Sequence, residues 1–264
     1  SQDGQKEAME HAGRTGGLPF VGVGWYRTEF DVPQFQAGKR ATILFDGAMS
    51  HANVYINGQK VGYWPYGYNS FHFDITKYLK PGEKNTLAVR LENLPESSRW
   101  YPGAGLYRNV HLIVTEDAYI PVWGTYITTP SVNEKFAKVN VLTKVVLPEG
   151  ADPAKYSVET SVWNPNKQKL TAVRTSLAQM KYNNDQAEQE FVIQDPSLWS
   201  PEMPALYSAE TRLYEGDKLK DVYTTPFGIR SIEIIPDKGF FLNGKRTVFK
   251  GVCNHHDLGP LGAA

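Results

Sequence analysis

Residues 97–114 read SSRWYPGAGLYRNVHLIV and set a cation and two large aromatics, Arg99, Trp100 and Tyr101, at the lip of a glycine-rich bend. Sugars present C–H faces that pack on aromatic rings, and hydroxyls that take fixed polar partners. Arginine adds planar donors able to grip two oxygens at once. Gly103 and Gly105 let the backbone turn sharply and approach closely. The cluster therefore suits contact with a carbohydrate, although an aromatic–arginine stack pinning a loop to a sheet edge explains these residues equally well. A second aromatic run, YWPYGYNSF from Tyr63 to Phe71, is either another wall of such a cleft or a packed loop punctuated by Pro65 and Gly67.

Other residue types carry less. His255, His256 and Asp257 follow an apparent strand, TVFKGV. Consecutive strand residues point to opposite faces, so the two histidines make poor co-ligands and no metal site is expected. If that strand opens a (β/α)8 barrel, polar groups at its C-terminal end suit substrate contact; otherwise they are a hydrogen-bonded loop. Glycoside hydrolysis ordinarily takes two flanking carboxylates. Asn133-Glu134 is tempting, but SVNEKF reads as a solvated turn, and no other acid pair is placed. There is no GxSxG elbow, phosphate loop or dinucleotide fingerprint, and nothing activates Cys253. No catalytic residue and no cofactor is expected, so by its chemistry this chain is not a complete enzyme.

The elements that position these groups are strands. Six Trp, 15 Tyr, 12 Phe, 23 Gly and 17 Pro favour short strands and tight turns. Period-two alternation places Tyr26, Thr28, Phe30 and Val32 on one face, Ile43 and Phe45 inward, then Phe71, Phe73 and Ile75, and Leu87, Val89 and Leu91. Asn57-Gly58 and Asn243-Gly244 each predict a tight hairpin. A first block closes near residue 117. A second repeats strands at a spacing that suits an immunoglobulin-type sandwich, without the Cys…Trp…Cys framework. No helix beyond a turn or two is expected in residues 1–228. In the 264 residues, Lys plus Arg and Asp plus Glu are 28 each, which gives no electrostatic reason to expect nucleic acid or an anionic membrane. The most apolar run, GGLPFVGVGWY, is far shorter than the roughly 20 residues of a membrane span. The polar start at Ser1 reads as a processed or cloned end without a signal peptide. The single Cys253 excludes an intrachain disulfide.

Seven segments in order carry a resemblance: WYRTEFDVP, FDGAMSHANVYINGQKVG, SFHFDITKYLKPGEKNTLAVRLEN, SSRWYPGAGLYRNVHL, DPSLWSPEMPALY, PFGIRSIEI and FFLNGKRTVFKGVCNHHDLGPLGA. From about Gly24 onward the chain resembles glycoside hydrolase family 2, the family of the large β-galactosidases, β-glucuronidases and β-mannosidases. The resemblance implies an all-β fold with a jelly-roll, sugar-binding-like sandwich over 1–118 and an immunoglobulin-like sandwich over 119–228. Residues 229–264 would then begin a catalytic (β/α)8 barrel, truncated after its first strand. Both catalytic glutamates of the family lie further along that barrel. Arg99, Trp100 and Tyr101 fall where a first-domain loop completes the family's sugar pocket, and some family β-galactosidases have an acidic residue in this region. His255 matches a sugar-contacting histidine, with His256 and Asp257 as substitutes in the shifted HHD pattern.

The reading is thus the non-catalytic part of a retaining exo-glycosidase in carbohydrate metabolism, a β-galactosidase first, with β-glucuronidase and β-mannosidase as alternatives within the family. A stand-alone carbohydrate-binding module and a purely structural pair of sandwiches are the alternatives outside it. The expected partners are a β-galactoside-type sugar and the missing barrel, with no nucleic acid or membrane; a homo-oligomer stays open. Family resemblance points to the periplasm or the extracellular space. A severed barrel strand buries little, so residues from about 240 onward are expected to be mobile or to borrow a partner surface.

Overall fold

The structure, a computed structural model, describes residues 22–34, 38–94, 105–179 and 185–252. It divides into two compact units, one made of Ser1–Val114 with Val252–Ala264 and the other spanning Thr115–Gly251. Helical structure among the described residues is confined to 3-10 turns at Thr76–Tyr78, Pro153–Lys155 and Leu177–Gln179.

The first unit is built from β1 (Gly22–Asp31), β2 (Arg40–Phe45), β3 (Ala52–Ile56), β4 (Gln59–Trp64), β5 (Phe71–Asp74), β6 (Lys84–Asn93) and β7 (Val110–Thr115). They form two antiparallel sheets, ordered β1-β6-β3-β4 and β5-β2-β7. Alternation decides what lies between them: Ile43, Phe45, Val54, Ile56, Phe71, Val89 and Leu91 are buried in one core. Phe45 and Phe71 stack there with ring centroids 4.8 Å apart.

The β3–β4 hairpin turns on Asn57 and Gly58, at φ 50° and 80°, as a type I′ turn requires. The Asn57 side chain reaches back into the fold. Its Nδ2 donates to Tyr78 O at 2.9 Å and Asn85 Oδ1 at 2.8 Å, and its Oδ1 accepts from Thr86 N at 3.0 Å. Asn85 is fully buried; its Oδ1 also accepts from Lys80 N, and its Nδ2 donates to Lys80 O and Glu83 O. A buried amide is tolerated here because each side-chain atom is satisfied.

The second unit contains β8 (Thr125–Val132), β9 (Phe136–Lys144), β10 (Tyr156–Trp163), β11 (Lys169–Ser176), β12 (Gln186–Gln194), β13 (Tyr207–Glu215) and β14 (Lys218–Phe227). The sheet orders are β11-β10-β13-β14 and β12-β9-β8. This is the expected immunoglobulin-like sandwich, and packing does what a disulfide does in antibody domains. Val139, Val141, Val162, Phe191 and Ile193 fill one part of the interior, and Val158, Leu177 and Leu213 another. At the start of β13 the Tyr207 hydroxyl accepts from Ser197 N at 2.8 Å, a tyrosine corner. Beside the sandwich, Lys220 has a side chain only 7 % exposed and donates to Asp117 at 2.8 Å, with Glu215 at 3.6 Å. The ammonium holds the Asp117 carboxyl below its usual range, and Asp117 in turn lifts Lys220.

A three-stranded meander ends the described chain: β15 (Ile232–Ile235), β16 (Gly239–Leu242) and β17 (Lys245–Arg246). Asn243 and Gly244 turn it at φ 52° and 74°. Two sequence expectations change here. First, the chain is docked rather than loose just beyond residue 240. Asn243 exchanges backbone and side-chain bonds with Ser231, and its Nδ2 donates to Trp199 O at 3.0 Å. Second, TVFKGV is not a strand. Thr247 N bonds to Phe240 O, but Val248, Phe249 and Val252 stand 65 %, 74 % and 91 % exposed. A barrel strand needs flanking strands to take its backbone groups and cover its side chains, and no described strand pairs with this segment.

Replacing Asn85 by Leu should destabilise the first unit by about 2–3 kcal/mol, because it takes their hydrogen-bond partner from the Lys80 backbone and the Asn57 amide; urea unfolding measures it. Lys220→Met should destabilise the second unit by about 1–3 kcal/mol near neutral pH. The sign follows from the shifts. The Asp117 contribution is lost as pH falls through its lowered pKa, and the Lys220 contribution as pH rises through its raised one. The gap between wild type and variant should therefore narrow at both extremes; a gap independent of pH would refute the assignment.

Candidate functional site

Arg99, Trp100 and Tyr101 lie in 95–104, and His255, His256 and Asp257 in 253–264, all outside the described residues. The structure does show the frame from which 95–104 departs and to which it returns. The two stems are held by two adjacent residues, one each. Met49 exchanges backbone bonds of 3.0 Å in each direction with Gly105, and Ser50 pairs with Glu92 through Glu92 N to Ser50 O at 2.8 Å and the reverse bond at 3.4 Å. The Ser50 hydroxyl adds a third bond, to Glu92 O at 2.9 Å. The span from Glu92 to Gly105 is thus closed at its base on the segment between β2 and β3.

Glycines make that closure fit. Gly105 has φ +100°, and a Cβ there would stand 2.2 Å from Tyr26 Oη. Position 105 therefore excludes other residues twice, by backbone and by contact. On the other side, Tyr107 packs where a Cβ on Gly47 would meet its ring at 2.5 Å, and its hydroxyl donates to Gly67 O at 2.7 Å. Gly67 in turn lies against the Met49 side chain. Tyr26, Met49, Gly67, Gly105 and Tyr107 form one interlocked rim. Sequence reading missed it because its parts are far apart along the chain; the glycines of FDGAMS and YWPYGY were the available signal.

The aromatic run behaves in two ways. Trp64 stacks on Phe71 at 5.6 Å and donates through Nε1 to Asn69 Oδ1, so it belongs to the packing. Tyr66 and Tyr68 stand about half exposed, their rings tilted at 5.5 Å. They are open to solvent next to Gly67 and thus to the rim. Near the other stem, Glu92 is ion-paired with Arg90, whose guanidinium holds the carboxyl below its ordinary range. The rim can offer rings, hydroxyls and backbone groups to a polyhydroxylated ligand.

Glu134 sits in an exposed turn, where Asn133 Oδ1 accepts from Lys135 N and Phe136 N at 2.8 and 2.9 Å, the solvated turn expected from SVNEKF. Among the described residues there is no group of three or more His, Cys, Asp or Glu able to hold a metal ion. No helix among them is long and apolar enough to cross a membrane.

A jelly-roll-type sandwich with a glycine-locked rim, followed by an immunoglobulin-like sandwich, defines an all-β multidomain protein. Comparison gives the family. The model for "Glycosyl hydrolases family 2, sugar binding domain" matches residues 19–116, and that for "Glycosyl hydrolases family 2" matches residues 119–230. The chain belongs to glycosyl hydrolase family 2. It is 42 % identical over 260 residues to a β-galactosidase of Bacteroides ovatus, covering 97 % of this chain and 30 % of the relative. It is 34 % identical to a β-glucuronidase of Bacteroides fragilis, covering 92 % and 36 %. Among solved structures, a family 2 member from Bacteroides cellulosilyticus superposes with a TM-score of 0.85 at 34 % identity, covering 96 % of this chain and 32 % of that one. The chain spans about a third of the length of these relatives.

Gly105→Ala should open the rim, because the methyl group meets Tyr26 Oη and the backbone must leave φ +100°. The expected result is faster hydrogen exchange at Met49, Ser50 and Glu92 with the β2 and β5 amides unchanged. Uniform protection across all of these would show that the closure does not depend on glycine.

Proposed function

We propose that these two units are the non-catalytic, sugar-binding part of a retaining exo-glycosidase that acts on β-galactosides. The supporting observation is the ordered pair of family matches over 19–116 and 119–230 in a chain about a third as long as its relatives. In this reading 1–118 and 119–228 are the two sandwiches, and 229–264 leads into a (β/α)8 barrel outside these 264 residues. That barrel carries both glutamates. One protonates the leaving oxygen and the other forms the glycosyl-enzyme intermediate, their carboxyls about 5–5.5 Å apart. A periplasmic or extracellular enzyme is part of the same proposal.

This chain contributes recognition. The rim fixes where 95–104 starts and ends, and Arg99, with Trp100 and Tyr101, reaches the terminal sugar from there. His255, or His256 and Asp257 beside it, contacts the same sugar from the barrel side. Contacts of this kind raise the rate only insofar as they tighten in the transition state. A β-glucuronidase is the second reading, favoured by the similarity to the Bacteroides fragilis enzyme; Arg99 would then face the sugar carboxylate.

The test is hydrolysis of aryl β-galactoside, β-glucuronide and β-mannoside by this chain and by the full-length enzyme that contains it. A silent chain beside a full-length enzyme active on the galactoside is expected, with Arg99→Ala lowering kcat/KM about ten- to a hundredfold in the latter. Turnover by the chain alone would overturn the non-catalytic assignment. Activity only on the glucuronide would replace the galactoside.

A further inference from the structure

The outer face of sheet β1-β6-β3-β4 carries an arrangement that packing does not explain. Register sets Trp25, Arg90, Asn53 and Tyr63 directly opposite one another across the four strands. One pair of residues along, Arg27, Ala88, Tyr55 and Lys60 form the next row. Directly opposed residues share a face, and Val54, Val89 and Leu91, which alternate with them, are buried on the other. These side chains therefore all project away from the core.

Ala88 is the key to the arrangement. A small residue on the strand between Trp25 and Tyr55 lets the two rings close over it, to a centroid distance of 5.6 Å and a tilt of 38°. Trp25 nevertheless remains 57 % exposed, so its ring is presented rather than buried. Across the row Tyr63 is 46 % exposed, and its hydroxyl lies 2.6 Å from His51 Nδ1. Between the rings stand Asn53, whose Nδ2 donates to His51 O at 3.2 Å, and the Arg90–Glu92 ion pair. Two exposed aromatic platforms thus flank a strip of fixed donors and acceptors in which Arg90 is paired with Glu92.

We propose that this face is a second carbohydrate site, taking a β-linked oligosaccharide, and that it is distinct from the rim. Sugar C–H faces pack on Trp25 with Tyr55 and on Tyr63, while hydroxyls bridge to Asn53, Arg90 and Glu92. Size decides against a protein partner. Three strand spacings by the one residue pair between the rows give about 14 Å by 7 Å, roughly 100 Å², whereas a stable protein interface takes about 800 Å² from each partner. A short oligosaccharide fills the smaller area. The site does not rest on the proposed activity: a β-galactosidase, a β-glucuronidase or a binding module could each carry it.

The test is calorimetric titration of the full chain with β-1,4-galactotriose and with cellotriose, alongside sedimentation of the free protein. Binding of at least one probe is expected, weakened about tenfold by Trp25→Ala; in Arg99→Ala the Trp25-dependent binding remains. If Trp25→Ala misfolds by circular dichroism, Tyr63→Ala must show the same loss. Binding that survives both sheet variants but disappears in Arg99→Ala would overturn this site while leaving the loop reading intact. No binding of either probe, or a dimer that Trp25→Ala dissociates, would also overturn it.

Discussion

Four backbone hydrogen bonds on Met49 and Ser50 hold the end of the first unit together. Main-chain bonds of this kind specify position without regard to side chain, so they can fix the base of a loop whose own sequence is free to serve a ligand. The cost falls on the neighbours. Gly105 and Gly67 must remain bare because Tyr26 and Met49 occupy the space their side chains would take. Gly105, the first described residue after the RWY segment, therefore serves the frame.

A comparable economy of contacts anchors the second unit at Trp199. Its amide donates to Ile229 O at 2.8 Å, its carbonyl accepts from Asn243 Nδ2, its ring lies under the Arg230 guanidinium at 4.9 Å, and Gly228 packs against it within about 3 Å of a Cβ position. Three segments of the family resemblance, DPSLWSP, PFGIRSIEI and FFLNG, thus converge on one residue, Trp199. Their recurrence in order along the sequence has a spatial reason, since each supplies a different side of the same contact.

How far the sequence could be read follows from the range of the interactions involved. Alternation identified Ile43, Phe45, Phe71, Val89 and Leu91 as core, and Asn-Gly pairs located two hairpins, because both signals are local. The Asn57–Asn85 amide pair joins residues 28 positions apart, and neither asparagine advertises it. The rim and the Trp25–Arg90–Asn53–Tyr63 row were equally silent, since both depend on strand register. TVFKGV misled for the opposite reason. Its composition is that of a strand, but composition cannot supply the neighbouring strands that would pair with it. The RWY and HHD clusters were found by residue chemistry and by their place in the family order.

The two Asn-Gly turns have a further consequence, for the lifetime of the protein rather than its fold. Asparagine before glycine is the pair that most readily cyclises and loses its amide, leaving a carboxylate. At Asn57 that exchange would replace the nitrogen that donates to Tyr78 O and Asn85 Oδ1 with an anionic oxygen facing two acceptors. At Asn243 it would do the same opposite Trp199 O. The bonds that immobilise these amides oppose the rotation that cyclisation needs, so chemical ageing at either turn has to wait for local opening. Each hairpin is then a clock, and the rate at which it runs reports how often that corner of the molecule comes apart.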